Sequence, residues 1–350
     1  MANRDILAIG TSAGGVDALL RLAGGLPADL PASVLVTIHL SRHFVSALDQ
    51  VLSDAGPLPA RFAKDGEPLR KRQIYLAPPD RHLLVEDDRL HLGRGPRENN
   101  SRPSIDAMLR SAAVCCGGRT VGVVLTGTLG DGASGLWAVR QCGGLTVVQD
   151  PHDAAFAEMP QTALEKAAPD HVVSLDDMPR LLSGLVHQPA GETVEAPSSL
   201  RYETGIARKG GLAMDDMDRI ARRSVLACPD CHGVMWEIDE GELIRFRCHV
   251  GHTYTAEVMS LALDENLRRA LGSAERALEE RVALARKLQR RAEEHGHKLM
   301  ARDWASKADE YEAEMRTVRS GIRRMETIAA NEELREEQGR VHDEDTPAAE

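Results

Sequence analysis

The chain has 350 residues, 54 acidic and 43 basic, for a formal net charge of −11, which leads one to expect two or three domains, one with a sizeable core. The acidic surplus argues against a nucleic-acid binder, which needs a basic face to displace counterions from phosphates. No stretch approaches the roughly 18 continuous apolar residues of a membrane span, and "MANRDILAIG" lacks the apolar length and cleavage site of a secretory signal. The expectation is a cytoplasmic protein, not membrane-embedded, with its six cysteines reduced or metal-bound.

In chain order, residues 1–187 alternate short apolar runs with helical patterns. "DILAIG", "SVLVTI", "VGVVLTG" and "LTVVQD" read as buried strands, and "VDALLRLAGGL", "SIDAMLRSAAVCC" and "GASGLWAVRQCGG" as the helices between them. This βαβα rhythm predicts an α/β domain with a mainly parallel, doubly wound sheet covered on both faces. "QIYLAPPDRHLLVEDDRLHLG" breaks the rhythm with Pro-Pro-Asp and Asp-Asp, which suggests a local antiparallel excursion.

Residues 188–211 are rich in Pro, Gly, Ser, Glu and Thr without periodicity, and 188–224 read as a linker. A cysteine-bearing island follows over 225–257, with Trp236, Ile244 and Phe246 as its small core. Residues 258–338 then carry apolar seams at steps of three and four, Leu267, Leu271, Ala274, Leu278, Ala285, Leu288 and Ala292 in the first and Trp304, Ala308, Tyr311, Met315, Val318, Ile322 and Met325 in the second. "EEHGHK" separates them, so a helical hairpin is expected, with residues 339–350 as a disordered tail.

The first strand runs into Gly10-Thr11-Ser12-Ala13-Gly14. The loop lacks the Lys-Ser/Thr ending of a P-loop and the G-x-G-x-x-G of a dinucleotide site. Its G-x-S-x-G matches a nucleophile elbow, and equally a serine capping the next helix. Two later strand ends bear on that choice. His39 directly follows "SVLVTI", and Asp131 lies in the glycine-rich turn after "VGVVLTG", where an N-cap is again the structural alternative. Ligands of open parallel sheets bind outside the carboxyl ends of the strands. Ser12, His39 and Asp131 there make a nucleophile, a base and an orienting acid for acyl transfer. Their order, Ser…His…Asp, is not that of the α/β-hydrolases.

Over residues 5–187 the motifs "IGTSAGG", "IHL", "IYLAPPDRHLLV", "RPSIDAMLRSAA", "LTGTLGDGASG" and "FAEMPQTAL" together resemble the catalytic domain of the CheB-type chemotaxis protein-glutamate methylesterases. The resemblance implies a three-layer α/β/α sandwich and a triad at Ser12, His39 and Asp131. It implies hydrolysis of glutamate γ-methyl esters on chemoreceptor helices, and deamidation of receptor glutamines, without a catalytic cofactor. Chemoreceptor cytoplasmic helices are the implied partners, with a receptor methyltransferase or other chemosensory proteins as further candidates. The elbow points to the Ala13 N–H as an oxyanion donor, and family position to that of Thr128. Ala13 and Thr128 replace a usual threonine and methionine, and "IHLSRHF" stands where "QHMPPGF" is common. With the serine at position 12, no room is left for the receiver domain typical of such enzymes, so control by other means is expected. The competing readings are a non-catalytic chemosensory scaffold and a serine esterase acting on another ester.

In the island, Cys228-x2-Cys231, sixteen residues, then Cys248-x3-His252 has the spacing of a closed structural zinc site. A reduced cluster without metal is the alternative. His249 competes with His252 for the fourth position. His252 is preferred because its spacing returns to the metal more easily and because esterase-linked modules resemble "RFRCxVGH". A zinc-ribbon-like module is thus expected, with zinc helping a short segment fold.

Overall fold

The computed structural model describes residues 3–39, 47–209, 214–240 and 243–344. Its first part comprises β1 (Ile6–Thr11), α1 (Gly15–Gly25), β2 (Ser33–Ile38), α2 (Leu48–Ala55), β3 (Ala60–Phe62) and β4 (Gln73–Leu76). Next come β5 (His82–Glu86), β6 (Arg89–Gly93), α3 (Ile105–Cys116), β7 (Thr120–Val124), α4 (Ala133–Gln141), β8 (Leu145–Gln149), α5 (Glu158–Ala167), β9 (His171–Val173) and α6 (Met178–Val186).

Seven strands form a parallel sheet in the order β3-β4-β2-β1-β7-β8-β9. Both faces are buried, which is why the strands read as continuous Val/Ile/Leu runs. In β1, Leu7 and Ile9 join one core with Leu19 and Leu22 of α1 and Leu182 of α6, whereas Ile6 and Ala8 face the other, with Leu109 of α3, Leu136 of α4 and Ala163 of α5. The result is the expected three-layer sandwich. The antiparallel excursion is the hairpin β5–β6, turning on Asp87 and Asp88 with φ of 51° and 54°. Two left-handed residues are what a tight type I′ hairpin turn demands, and Asp tolerates that conformation.

The segment read as a linker is different. It carries α7 (Ser198–Lys209) and α8 (Met214–Ile220), and β10 (Arg222–Ala227) opens inside it. Leu200, Glu203, Ile206 and Ala207 of α7 are buried. The end of α7 lies on Gly93 and Gly95, where an added Cβ would stand 2.3 and 2.4 Å from the carbonyl oxygens of Ala207 and Ile206. The apolar stripe was hidden because a glutamate sits in the middle of it.

β10, β11 (Val234–Glu240), β12 (Leu243–Cys248) and β13 (Thr253–Thr255) form a four-stranded antiparallel sheet. Its core contains Trp236 as expected, but Ile244 points outward at 43% exposure. The neighbouring inward positions are instead Arg245 and Arg247, both fully buried. Residues up to Ser260 form one compact unit and those from Leu261 a second. The second unit holds α9 (Ala256–Glu294) from Leu261 onward and α10 (Lys298–Glu344), with a turn at His295–His297 between them. Ala285, Ala292, Ala301 and Ala308 are buried along the seam, whereas Leu267 is 48% exposed. Arg286 binds Asp309 and Glu312 across the hairpin, and Arg281 stacks on Tyr311. α10 runs through residues expected in the tail; 345–350 lie outside the described residues.

Candidate active site

β2, β1 and β7 lie side by side, so their carboxyl ends open together where the strand order reverses. Ser12 leaves β1 in a tight turn. Its N–H donates to Thr126 O (3.0 Å), its carbonyl accepts from Gly15 N–H (2.9 Å), and Gly14 is left-handed at φ 72°. Gly127 backs onto it: an added Cβ would lie 2.9 Å from Ser12 Cβ and 2.8 Å from Met159. Only glycine lets the loop after β7 come so close to the serine.

Ser12, His39 and Asp131 are brought together. Ser12 Oγ is 3.2 Å from His39 Nδ1, and His39 Nε2 is 2.9 Å from Asp131 Oδ2. The ring is turned relative to the protease arrangement, in which Nε2 faces the serine. With Asp131 ionised, Nε2–H donates to the carboxylate and Nδ1 is left to accept the serine proton.

Asp131 is nearly buried and gathers four donors besides His39. Oδ2 accepts from Ile105 N–H (2.7 Å); Oδ1 accepts from Asp106 N–H (3.1 Å), Ser104 Oγ (3.0 Å) and Asn99 Nδ2 (3.0 Å). The N-terminus of α3 therefore points its free N–H groups at this carboxylate. Burial alone pushes the group up, but the bonds from His39, Ile105 and Asn99 outweigh it and bring Asp131 down to about 2. Burial and the Asp131 charge push the neighbouring Asp106 well up, so Asp131 holds the negative charge. Asp106 Oδ1 accepts from Gly132 and Gly135 N–H at the start of α4, tying α3 to α4. Behind Ser104, buried His82 accepts Ser104 N–H at Nδ1 and donates from Nε2 to Pro96 O. Burial drives its pKa down.

Ala13 directly follows Ser12 and Thr128 directly follows Gly127, and their N–H groups make no hydrogen bond among the described residues. The residues after His39 in "IHLSRHF" lie outside the described residues. Sequence reasoning missed Asn99, Ser104 and Asp106. The signal for Asn99 was the Asn-Asn pair in "RENNSRPS", a turn signature. Asn99 and Asn100 are both left-handed (φ 50° and 59°), with Glu98 and Ser101 paired across them.

The four cysteine-island ligands also converge. Cys228, Cys231 and Cys248 Sγ and His252 Nδ1 all lie within 4.8 Å of one another. His249 is not in the group; its ring lies beside Gly233. Two tight turns present the ligands: Cys228 N–H donates to Gly233 O and His232 N–H to Cys228 O in one, and Cys248 N–H to His252 O and Gly251 N–H to Cys248 O in the other. The cluster suits a metal ion.

Residues 7–182 match the family described as CheB methylesterase. A putative protein-glutamate methylesterase/protein-glutamine glutaminase of Leptospira interrogans is 34% identical over 51% of this chain and 93% of its own length. A protein-glutamate methylesterase/protein-glutamine glutaminase of Anaeromyxobacter dehalogenans is 37% identical, and one of Pseudomonas putida 39%; the chain spans 54% and 53% of them, about half their length. The crystal structure of the Thermotoga maritima CheB methylesterase catalytic domain matches with a TM-score of 0.50 and 30% identity, over 53% of this chain and all of that one. With these likenesses running over the sheet and its strand-end site, the chain belongs to the CheB methylesterase family.

Proposed function

We propose that this protein is a protein-glutamate methylesterase and protein-glutamine glutaminase that hydrolyses γ-methyl esters on chemoreceptor cytoplasmic helices. The observation that carries the reading is the continuous Ser12–His39–Asp131 chain of hydrogen bonds at the open strand ends. Ser12 Oγ attacks the ester carbonyl while its proton passes to His39 Nδ1, and Asp131 stabilises the imidazolium. The oxyanion meets the N–H groups of Ala13 and Thr128, neither of which has a partner among the described residues. His39 returns the proton to the departing methanol. A water molecule, deprotonated by the same nitrogen, then cleaves the acyl-enzyme to free glutamate. A glutamine amide follows the same path and releases ammonia. No cofactor enters this chemistry. The partners we assign are the receptor helices and a receptor methyltransferase, and the setting is cytoplasmic; among the described residues no helix is long and apolar enough to cross a membrane.

The cysteine module fits structural zinc. With Zn–S near 2.3 Å and Zn–N near 2.0–2.1 Å, a tetrahedral site has S···S edges of about 3.8 Å and S···N edges of about 3.6 Å. The Cys231–Cys248 separation is 3.7 Å, and His252 Nδ1 stands 3.6 and 3.5 Å from Cys228 and Cys248. Asp230 lies 3.8 Å from the other ring nitrogen of His252, longer than a hydrogen bond but on the side from which an outer carboxylate would orient a ligating histidine. Four protein ligands leave no open position, so the ion would supply folding energy and no chemistry.

The experiment is methanol release from methylated receptor, wild type against Ser12→Ala. Release by wild type only is expected. Equal release by both overturns the esterase reading in favour of a scaffold. Hydrolysis of small esters with none of receptor methyl esters would assign the triad to another substrate.

A further inference from the structure

The triad carboxylate is held from behind by a residue that the cysteine module itself holds. Asn99 Nδ2 donates to Asp131 Oδ1 (3.0 Å) and to Asp106 Oδ2 (2.9 Å). The other end of the same amide is occupied: Thr255 N–H donates to Asn99 Oδ1 (3.1 Å). The Asn99 backbone N–H donates to Thr253 O (2.8 Å), and Thr253 N–H to Arg97 O (3.3 Å). β13 therefore lies along the Asn99 turn and fixes both its backbone and its side-chain plane. With Oδ1 pinned by an N–H donor, the amide cannot flip, and Nδ2 must face the two carboxyls.

β13 is short and follows directly on the metal-site turn. Arg247 of β12, one residue before Cys248, donates to Gly251 O inside that turn (3.2 Å). The same guanidinium reaches Glu98, next to Asn99 (3.1 Å), and Glu203 of α7 (3.0 Å). Glu98 is also gripped twice by Arg110 of α3, at 2.8 and 2.7 Å. Arg245 binds Glu203 and Glu240, and Glu240 accepts from Ser134 Oγ of α4 (2.8 Å), three residues beyond Asp131. Three arginines and three glutamates, all buried, thus weld the module to the two helices that cradle Asp131. Nothing in ester hydrolysis alone calls for such a cluster at the back of the site.

We propose that Asn99 is a positioning residue for the triad carboxylate and that the metal-bound module holds it in place, so loss of the metal is felt at Ser12. The metal part of this inference rests on the zinc reading above. Asn99 touches neither substrate nor the reacting atoms; it acts through Asp131.

The test uses the full chain loaded with zinc and reads the rate at which a fluorophosphonate labels Ser12. That rate reports serine reactivity without a receptor, so it stays informative even if receptor methyl esters prove not to be the substrate. Because Asn99 is left-handed, the variants are Asn99→Gly and Asn99→Asp, both of which tolerate that backbone. Asn99→Asp keeps the acceptor for Thr255 N–H but loses the donors to Asp131 and Asp106. Labelling is expected to fall about 10- to 100-fold in Asn99→Gly, the worth of a hydrogen bond to a charged group, and further in Asn99→Asp, with zinc content unchanged. Removing zinc from wild type with a chelator is expected to lower labelling by a similar factor. Removing it from Asn99→Gly should add much less, because both act on one link. Wild-type labelling by Asn99→Gly, no response of wild type to zinc removal, or simple multiplication of the two effects each overturns the proposal. Zinc content and melting temperature are measured in parallel, and a variant that neither melts cooperatively nor retains zinc is replaced in the cycle by the other.

Discussion

Asp131→Asn separates the charge of the triad from its shape. The substitution is isosteric but removes the charge that, in the proposed mechanism, faces the His39 imidazolium as Ser12 is acylated. At an effective dielectric near 20 and about 4 Å between charge centres, that attraction is worth about 4 kcal/mol, or about 10³ in rate. The surroundings add to this. His39, Ile105, Asp106, Ser104 and Asn99 all donate to Asp131, and an asparagine brings two more N–H donors among them. If its NH2 faces His39, the ring must accept at Nε2 and carry its proton on Nδ1, where it cannot take the proton of Ser12. If it faces the other way, it meets Asn99 and the Asp106 N–H, and stability falls by about 1–3 kcal/mol. The expected result is a kcat for methanol release lowered about 10³- to 10⁴-fold with KM within a few-fold, and a cooperative melt at lower temperature. A kcat within tenfold of wild type would refute the reasoning, because the buried carboxylate would then not act on His39.

Gly127→Ala forces a methyl group to within 2.9 Å of Ser12 Cβ; it should lower kcat more than tenfold and cost about 1–3 kcal/mol of stability, read by ester hydrolysis and chemical denaturation. Arg247→Met removes the guanidinium that Glu98 and Glu203 share, leaving Glu98 to Arg110 and Glu203 to Arg245, and should cost about 3–5 kcal/mol because it breaks buried ion pairs; an unchanged denaturation midpoint would contradict the cluster's role. Acid stability carries a sign that can be checked. Burial pushes Glu203 up, but Arg245, Arg247 and Arg110 outweigh it and hold its pKa well below the usual range. Asp131 is held at about 2. Groups with depressed folded pKa values stabilise the fold above their unfolded pKa, near 4, and lose that contribution as pH falls toward 2. Stability measured by denaturant should therefore drop steeply below about pH 4, and Glu203→Gln should flatten that drop.

The sandwich was legible because its rules are local. A strand buried on both faces must be an unbroken apolar run, and "SVLVTI" or "VGVVLTG" can be little else. Ser12 and His39 stand directly after such runs and Asp131 in the glycine-rich loop that follows another, so the parallel sheet brings them to one edge without any further information. The ligand spacing of the cysteine island is equally local, since each turn presents two donors within five residues. The helix α7 was not legible, because Glu203 occupies the centre of its buried face and its segment is otherwise polar. Ile244, taken for core, points outward, and Arg245 and Arg247 point inward, because the module buries its charges against partners far away in the chain.

Asn99 marks the boundary between the two kinds of information. Its turn was written in the Asn-Asn pair, but its work depends on Thr255, 156 residues later, and on a carboxylate 32 residues later. Period, turn chemistry and ligand spacing are properties of neighbours along the chain, and the sequence alone settles them. Whether a buried arginine or amide is tolerated depends on the opposite charge or the acceptor that folding brings against it, and only the tertiary structure decides that.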